Sequence, residues 1–399
     1  MASYIPPMTT RTRGTTVSWS RANARRLDRQ FLSGGTRSAR GPAHGVTGTV
    51  AAMLGAHAQV LSAAELSIGL RAPGTTRTDV RTALWTDRTL VKTFGPRGTV
   101  HLLPAEELPM WTGALSAVPA GGSPFPKDAR MTPDQVEEVV AAVAAALEDT
   151  ELTVDELSDE VIGRTGPWAG DPVMPAFQGM WPRWRQVLHL AGHRGALCYA
   201  PNRGRKATYT NPGTVPMPAR EATAALVRRY LLAYGPATPA HFARWLAAPR
   251  GWAGRLFEEL AGNGAIEKVG FEPCGEAWVV AGDTRFPSAA PRGVRLLPYF
   301  DAFGIASQPR ERLFPGAAYE RALAGGQAGN FPVLLVDGEV AGVWHQRRSG
   351  RRIAVTVEPL GPLDAARLRA LEEQVEMLGE VLEGTPELTV GEVTVGGHA

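Results

Sequence analysis

The sequence predicts an α+β protein in which three winged helix-turn-helix units stand in tandem before a β-rich C-terminal subdomain. Three observations carry that reading. Helical patterning gives way to a two-strand ribbon near residues 90–103, again near 196–210 and again near 265–280. Beyond residue 293 the composition turns to short β-branched runs. A chain of 399 residues is also too long for one ordinary core, so several modules are expected.

Taken in order, residues 1–16 read as a disordered basic lead, polar and without periodicity. Residues 17–125 form the first unit. A helix from Ser18 to Leu32 carries a basic outer face, and a helix near 45–54 ends at Gly55. Helices over about 62–71 and 78–86 lead to a hairpin, Leu90–Phe94 and Thr99–Leu103, broken by Gly95-Pro96-Arg97-Gly98. Residues 126–215 form the second unit. Its helix starts are marked by the capping boxes Thr132-Pro133-Asp134-Gln135 and Thr153-Val154-Asp155-Glu156. Its ribbon, 196–200 and 207–210, has the tip Pro201-Asn202-Arg203-Gly204-Arg205-Lys206. Residues 216–286 form the third unit, with helices near 219–233, 239–246 and 252–261 before a last ribbon. Residues 287–399 form the β-rich subdomain. Its strands near 294–298, 332–336, 340–344 and 353–357, a helix over 363–381 and a strand over 387–394 make a small sheet or barrel.

Composition excludes several classes. Hydrophobic residues are 44% and charged residues 20%, so the chain is globular. No run of eighteen apolar residues is present, and the start lacks a secretory pattern, so no membrane partner is expected. The two cysteines, Cys198 and Cys274, stand far apart, which fits a reduced, cytoplasmic (nucleoid-associated) protein. His189 and His193 have the spacing of a zinc helix, but Leu190 stands where that motif needs Glu, so no metal is expected. No phosphate-binding glycine motif occurs, so no cofactor is expected either. The net charge is +3, unevenly spread. Residues 1–40 hold eight arginines and one acid, a net of +7, against −4 for the remainder. That bias points to a polyanion contact, with Arg25 and Arg26 as candidates, though a solvated tail and an ordinary surface helix explain it equally well. Arg203, Arg205 and Lys206 are the stronger candidates for phosphate, since three cations at a ribbon tip have no core role.

The candidate chemistry lies in His57-Ala58-Gln59, between two helix-like runs. An extended turn would send both side chains to one side, and neither is needed for an amphipathic helix. Downstream, Arg97-Gly98-Thr99-Val100-His101 opens the run R-G-T-V-H-L-L-P-A-E-E-L. With the basic first helix, A-Q-V-L-S-A-A-E-L, Tyr234-Gly235-Pro236, Leu296-Leu297-Pro298-Tyr299-Phe300-Asp301 and Val333–Gly338, these segments resemble the winged-helix DNA glycosylases of the AlkZ/YcaQ family over nearly the whole chain. In that family the tripeptide is Q-x-Q or Q-x-D. Here His57 stands first, giving an H-x-Q variant.

The resemblance implies a C-shaped protein around double-stranded DNA, acting as a monomer and as a monofunctional glycosylase. Its substrate would be bulky N7-alkylguanine, with crosslink unhooking and self-resistance to a genotoxic natural product as further expectations. His57 and Gln59 would be catalytic, and Arg97, Thr99 and His101 would line the DNA. N7 alkylation makes the purine a cationic leaving group, so the site needs to steer water to C1′ more than it needs a strong acid. His57 either accepts the water's proton as a general base or only hydrogen-bonds the water, as Gln would. The alternatives are a non-catalytic winged-helix DNA-binding protein or transcription regulator, and a protein–protein scaffold. A regulator needs a recognition helix rich in Arg, Asn and Gln, and residues 62–71 carry only Ser62, Glu65 and Ser67 before Arg71.

Overall fold

The Ser18 hydroxyl accepts the Arg21 amide at 3.4 Å, and the capped helix runs Trp19–Arg29. The computed structural model to which it belongs describes residues 16–33, 44–122, 125–176, 179–323 and 325–396. Apart from residue 16, the expected lead therefore lies outside the described residues. The helix does not carry the basic outer face expected for it. Val17 bonds to Gly270 and Glu272 on the hairpin of the third unit. Trp19, Ala22 and Leu27 share a core with Phe271, Phe303, Phe314 and Val343. The helix is thus wedged between that hairpin and the C-terminal subdomain, and its arginines serve the interior. Arg26 is fully buried and donates to the carbonyls of Gln308 (2.8 Å) and Pro236 (2.9 Å). Arg25, also buried, donates to the Asp283 carbonyl at 2.9 Å and lies 3.6 Å over the Phe286 ring. Irregular segments leave buried carbonyls without ladder partners, and the forked guanidinium supplies the missing donors. Neither residue presents its charge to a phosphate.

One order of elements then occurs three times. First come the helix Gly45–Met53, the short strand Ala56–His57, the helices Leu61–Gly69 and Arg77–Arg81, and the hairpin Leu90–Phe94/Val100–Pro104. The short strand pairs with the outgoing arm of the hairpin, so the sheet order is first, third, second. In the second unit Pro133–Ala146, Glu151–Thr153, Val154–Thr165, Leu188–His193 and Cys198–Arg203/Lys206–Thr210 repeat that order and that sheet. Both capping boxes form, with Thr132 paired to Gln135 and Thr153 to Glu156. This unit alone inserts an extra ribbon, Pro172–Pro175/Met180–Pro182, among the described residues. The third unit has Ala219–Tyr234, Pro239–Leu246, Arg250–Gly262 and Ile266–Phe271/Gly275–Val280. There the short strand shrinks to one bridge, Ala237 to Trp278.

The β-rich subdomain is one five-stranded sheet and not a barrel. Val294–Leu297, Val333–Val336, Glu339–Ser349 and Arg352–Pro359 are antiparallel neighbours in that order, and Thr385–Val390 joins parallel to the last. A parallel neighbour requires a crossover, supplied by the helix Ala365–Leu382. Leu371, Val375, Leu378 and Val381 of this helix pack on Leu296, Trp344 and Val355 and on Leu66 and Leu70 of the first unit. Each such buried side chain contributes about 1.5–3 kcal/mol over leaving it exposed. A Cβ at Gly69 would run into Val381, so glycine permits the close approach of the two helices. The sheet and its crossover helix thereby back the helix Leu61–Gly69, which follows His57 and Gln59. No helix among the described residues is long and apolar enough to cross a membrane.

Candidate active site

His57 is placed by a reversal of the chain. Leu54 adopts the left-handed conformation (φ 60°), and Gly55 follows at φ 93°, where a Cβ would also crowd the Leu103 side chain. The next residues cross as an edge strand, Ala56 opposite Leu102 and His57 opposite His101, and the Ala58 amide bonds to the Val100 carbonyl at 2.8 Å. His57 is 8% exposed, with its ring 4.0 Å from that of His101 and 6.4 Å from that of Phe300. Gln59, two residues on, is exposed and has no hydrogen bond to another described residue. The imidazole is therefore fixed in the interior, and the carboxamide is free at the surface.

The Gly95–Gly98 turn decides the state of the imidazole. Arg97 sits in the left-handed region at φ 63°. Its Nη1 donates to the Trp245 carbonyl at 2.7 Å, and its Nη2 donates to His57 Nε2 at 2.8 Å. A guanidinium cannot accept, so Nε2 is the acceptor and the proton of a neutral His57 resides on Nδ1. Burial, then His101, then Arg97 hold the His57 pKa well below its usual value. His101 Nδ1 donates to the Thr99 carbonyl at 2.8 Å, and burial followed by Arg97 pushes its pKa down to about 3. His193 closes the far side of the turn, with Nε2 donating to the Gly95 carbonyl at 2.9 Å. His189 stands against Gly98, so the two zinc-spaced histidines line an interface between units. The arrangement offers a neutral donor on His57 and a carboxamide that can both donate and accept.

The structure redistributes the other candidates. Arg97 spends its donors inside the protein, at the seam between the first and third units. His101 is 2% exposed, with its ring packed 4.0 Å from that of His57. The Thr99 hydroxyl donates to the Pro96 carbonyl at 3.0 Å and remains partly exposed. At the second ribbon tip, Arg203 pairs with Glu156 at 3.2 Å and Lys206 with Asp155 at 2.7 Å, both from the helix Val154–Thr165. Arg205 alone of the three has no ion pair there among the described residues. Sequence reasoning missed the contribution of Phe300 and Asp301. Phe300 adopts φ 55° beside His57. Buried Asp301 takes Arg71 in a two-pronged pair (2.7 and 2.8 Å), accepts from Ser67 and caps the Phe303 amide at 2.9 Å. The signal was present, since both residues belong to the Leu296–Asp301 segment, but nothing in it names their partners.

Comparison with known proteins adds three findings. A family model described as DNA glycosylase AlkZ-like matches residues 50–381. An interstrand DNA cross-link repair glycosylase of Streptomyces sahachiroi is 30% identical over 344 residues, covering 82% of this chain and 88% of that protein. The solved structure of Streptomyces sahachiroi DNA glycosylase AlkZ aligns with a TM-score of 0.76 at 27% identity, over 94% of this chain and 100% of that one.

Proposed function

We propose, from the premise that this chain belongs to the AlkZ-like family and is a DNA glycosylase, that it hydrolyses the N-glycosidic bond of bulky N7-alkylguanine in double-stranded DNA. Unhooking of interstrand crosslinks is part of the proposal, since a relative is named for interstrand DNA cross-link repair. Self-resistance to a DNA-alkylating natural product is its biological setting. The three helix–strand–helix–helix–hairpin units are read as winged helices curved around the duplex, and one copy of the chain suffices.

The observation that carries the reading is the pairing of His57, buried and neutral, with Gln59, exposed and uncommitted, on one short segment. An N7-alkylated guanine already bears the positive charge that makes it leave. The C1′–N9 pair departs with the purine and neutralises it. Water then adds to the oxocarbenium carbon, and the surplus proton passes to solvent. A neutral imidazole suits that reaction, because an imidazolium at the sugar would oppose the developing charge, and the Arg97 guanidinium is held on the other ring nitrogen. A Schiff-base lyase step finds no support. The lysine nearest in sequence is Lys92, whose ammonium lies 4.7 Å from the centre of the Tyr199 ring.

The test is incubation of the protein with duplexes carrying methyl to bulky natural-product N7 adducts, with abasic sites as the readout. Wild type is expected to leave abasic sites, and Gln59→Ala to slow excision by about 10²-fold, the scale for losing one aimed hydrogen bond. Intact adducts throughout, or a Gln59→Ala variant as fast as wild type, overturn the proposal.

A further inference from the structure

Arg97 is the one described residue whose charged group touches His57. It does so from an unusual backbone position. The turn that holds it is clamped on both sides, since a Cβ at Gly95 would lie 2.6 Å from His101 Nδ1 and one at Gly98 would lie 3.3 Å from His189. Its second donor is fixed on the Trp245 carbonyl of the third unit at 2.7 Å. A guanidinium held at two points cannot swing out to a phosphate without abandoning a buried carbonyl.

We propose that Arg97 is a positioning residue for the glycosylase reaction: by donating to Nε2 it fixes His57 as the Nδ1–H tautomer, so that His57 serves the reaction as a hydrogen-bond donor and not as a general base. The inference rests on the reading of His57 as a reaction-centre group. A water that accepts from Nδ1–H and donates to the Gln59 carbonyl keeps one lone pair for C1′. The groups facing this imidazole agree with a neutral donor. Arg97 faces it from the turn, His101 from the neighbouring strand and the Phe300 ring from the subdomain. Behind them, Arg310 and Tyr234 stand near Arg97, and His193 near His101. The nearby Asp301 carboxylate is engaged by Arg71 and Ser67. No carboxylate partners His57 among the described residues, so nothing there favours an imidazolium.

The experiment is single-turnover excision of N7-methylguanine from a duplex between pH 5 and 8.5, by wild type, Arg97→Lys and Arg97→Met. Wild type is expected to give a flat profile. Arg97→Met should be slower by about 10²-fold at neutral pH, as for a misaligned reacting group. Its profile should stay flat over that range, because burial, the largest cause of the lowered His57 value, is unchanged. Arg97→Lys, which keeps a cationic donor but not the fork that spans His57 and Trp245, should be intermediate. A purely structural role would leave the tautomer of His57 unchanged, whereas the inference expects ¹⁵N spectra of Arg97→Met to shift toward Nε2–H, and retention of Nδ1–H in that variant overturns it. ¹⁵N chemical shifts of His57 in the intact wild-type protein provide a readout free of activity and of variant folding. An Nδ1–H, Nε2-acceptor signature is expected, and an Nε2–H or doubly protonated ring overturns the inference. Failure of wild type to excise any adduct would instead refute the proposed function, so the two failures are separable.

Discussion

Where an arginine lies in this protein follows from which acceptors its fork can reach. Arg25, Arg26 and Arg97 meet buried carbonyls and turn inward. Arg203 meets Glu156 and stays at the surface as half of an exposed pair. Exposed pairs are worth little to stability, yet each partner carboxylate offsets a cation that would otherwise face DNA. Arg205 stands apart at the same tip. Replacing Arg205 with Ala should lower the slope of log binding constant against log salt by about one, uniformly over DNA sequences. Replacing Arg203 or Lys206 should lower it by less, because each is already engaged by Glu156 or Asp155 and contributes less to neutralising phosphate. Fluorescence titrations on an undamaged duplex at several salt concentrations measure the slopes, and an unchanged slope for Arg205→Ala removes the second ribbon tip from the DNA path. The residue scale is also where the sequence was least sufficient. The spacing of His57 and Gln59 was visible because it is local. The bond between positions 57 and 97 was not, because it depends on the hairpin register that sets His57 opposite His101 and on a left-handed Arg97. Burial of the first helix's arginines was hidden for the same reason. Their acceptors at 236, 283 and 308 lie more than two hundred positions away.

At the scale of elements, the helix Leu61–Gly69 ties the C-terminal sheet to the segment that carries His57 and Gln59. Its Leu66 packs into the core shared with Leu378 and Val381, and Ser67, with Arg71 just beyond its end, reaches Asp301. Asp301 in turn begins the helix Ala302–Ala306 and follows Phe300, whose ring lies beside His57. Asp301→Ala removes one partner of a fully buried ion pair and uncaps that helix, so it should destabilise the protein by about 3–5 kcal/mol. Urea unfolding should show a lower midpoint with an unchanged slope. A midpoint within error of wild type would mean that Arg71 finds another acceptor and that the link is dispensable. Much at this scale was legible. The capping boxes at Thr132 and Thr153 and the hairpin broken at Gly95–Gly98 follow from local chemistry, and they form where expected. What the chain did not announce were elements defined by their neighbours. The ribbon Pro172–Pro175/Met180–Pro182 is built from prolines and carries no alternation. The choice between sheet and barrel depends on whether the edge strands meet, which no local pattern encodes.

At the scale of the whole molecule, neutrality of the site is a consequence of burial, and burial of histidines makes stability depend on pH. His57, His101, His193 and His241 all have pKa values lowered chiefly by desolvation, to about 3 for His101 and about 4 for His193 and His241. The unfolded chain titrates them near 6.5. Above that pH both states are neutral at these positions and stability is complete. As pH falls, the unfolded chain takes up protons first, and stability is lost from about 6.5 down toward the folded values. Each histidine contributes at most about 1.4 kcal/mol per pH unit in that window. Carboxylates with lowered values, such as Asp79, Glu137 and Glu358, add their own loss only below the ordinary carboxylate range. Between pH 6.5 and 5 the histidines therefore dominate. The melting temperature should fall steadily from pH 7 to pH 5, and more gently in His193→Gln, whose amide can still donate to the Gly95 carbonyl while removing one titrating group. Differential scanning calorimetry at pH 7, 6 and 5 decides the matter. A wild-type melting temperature constant over that range would mean that these imidazoles are solvated in the folded protein and that burial does not hold His57 neutral.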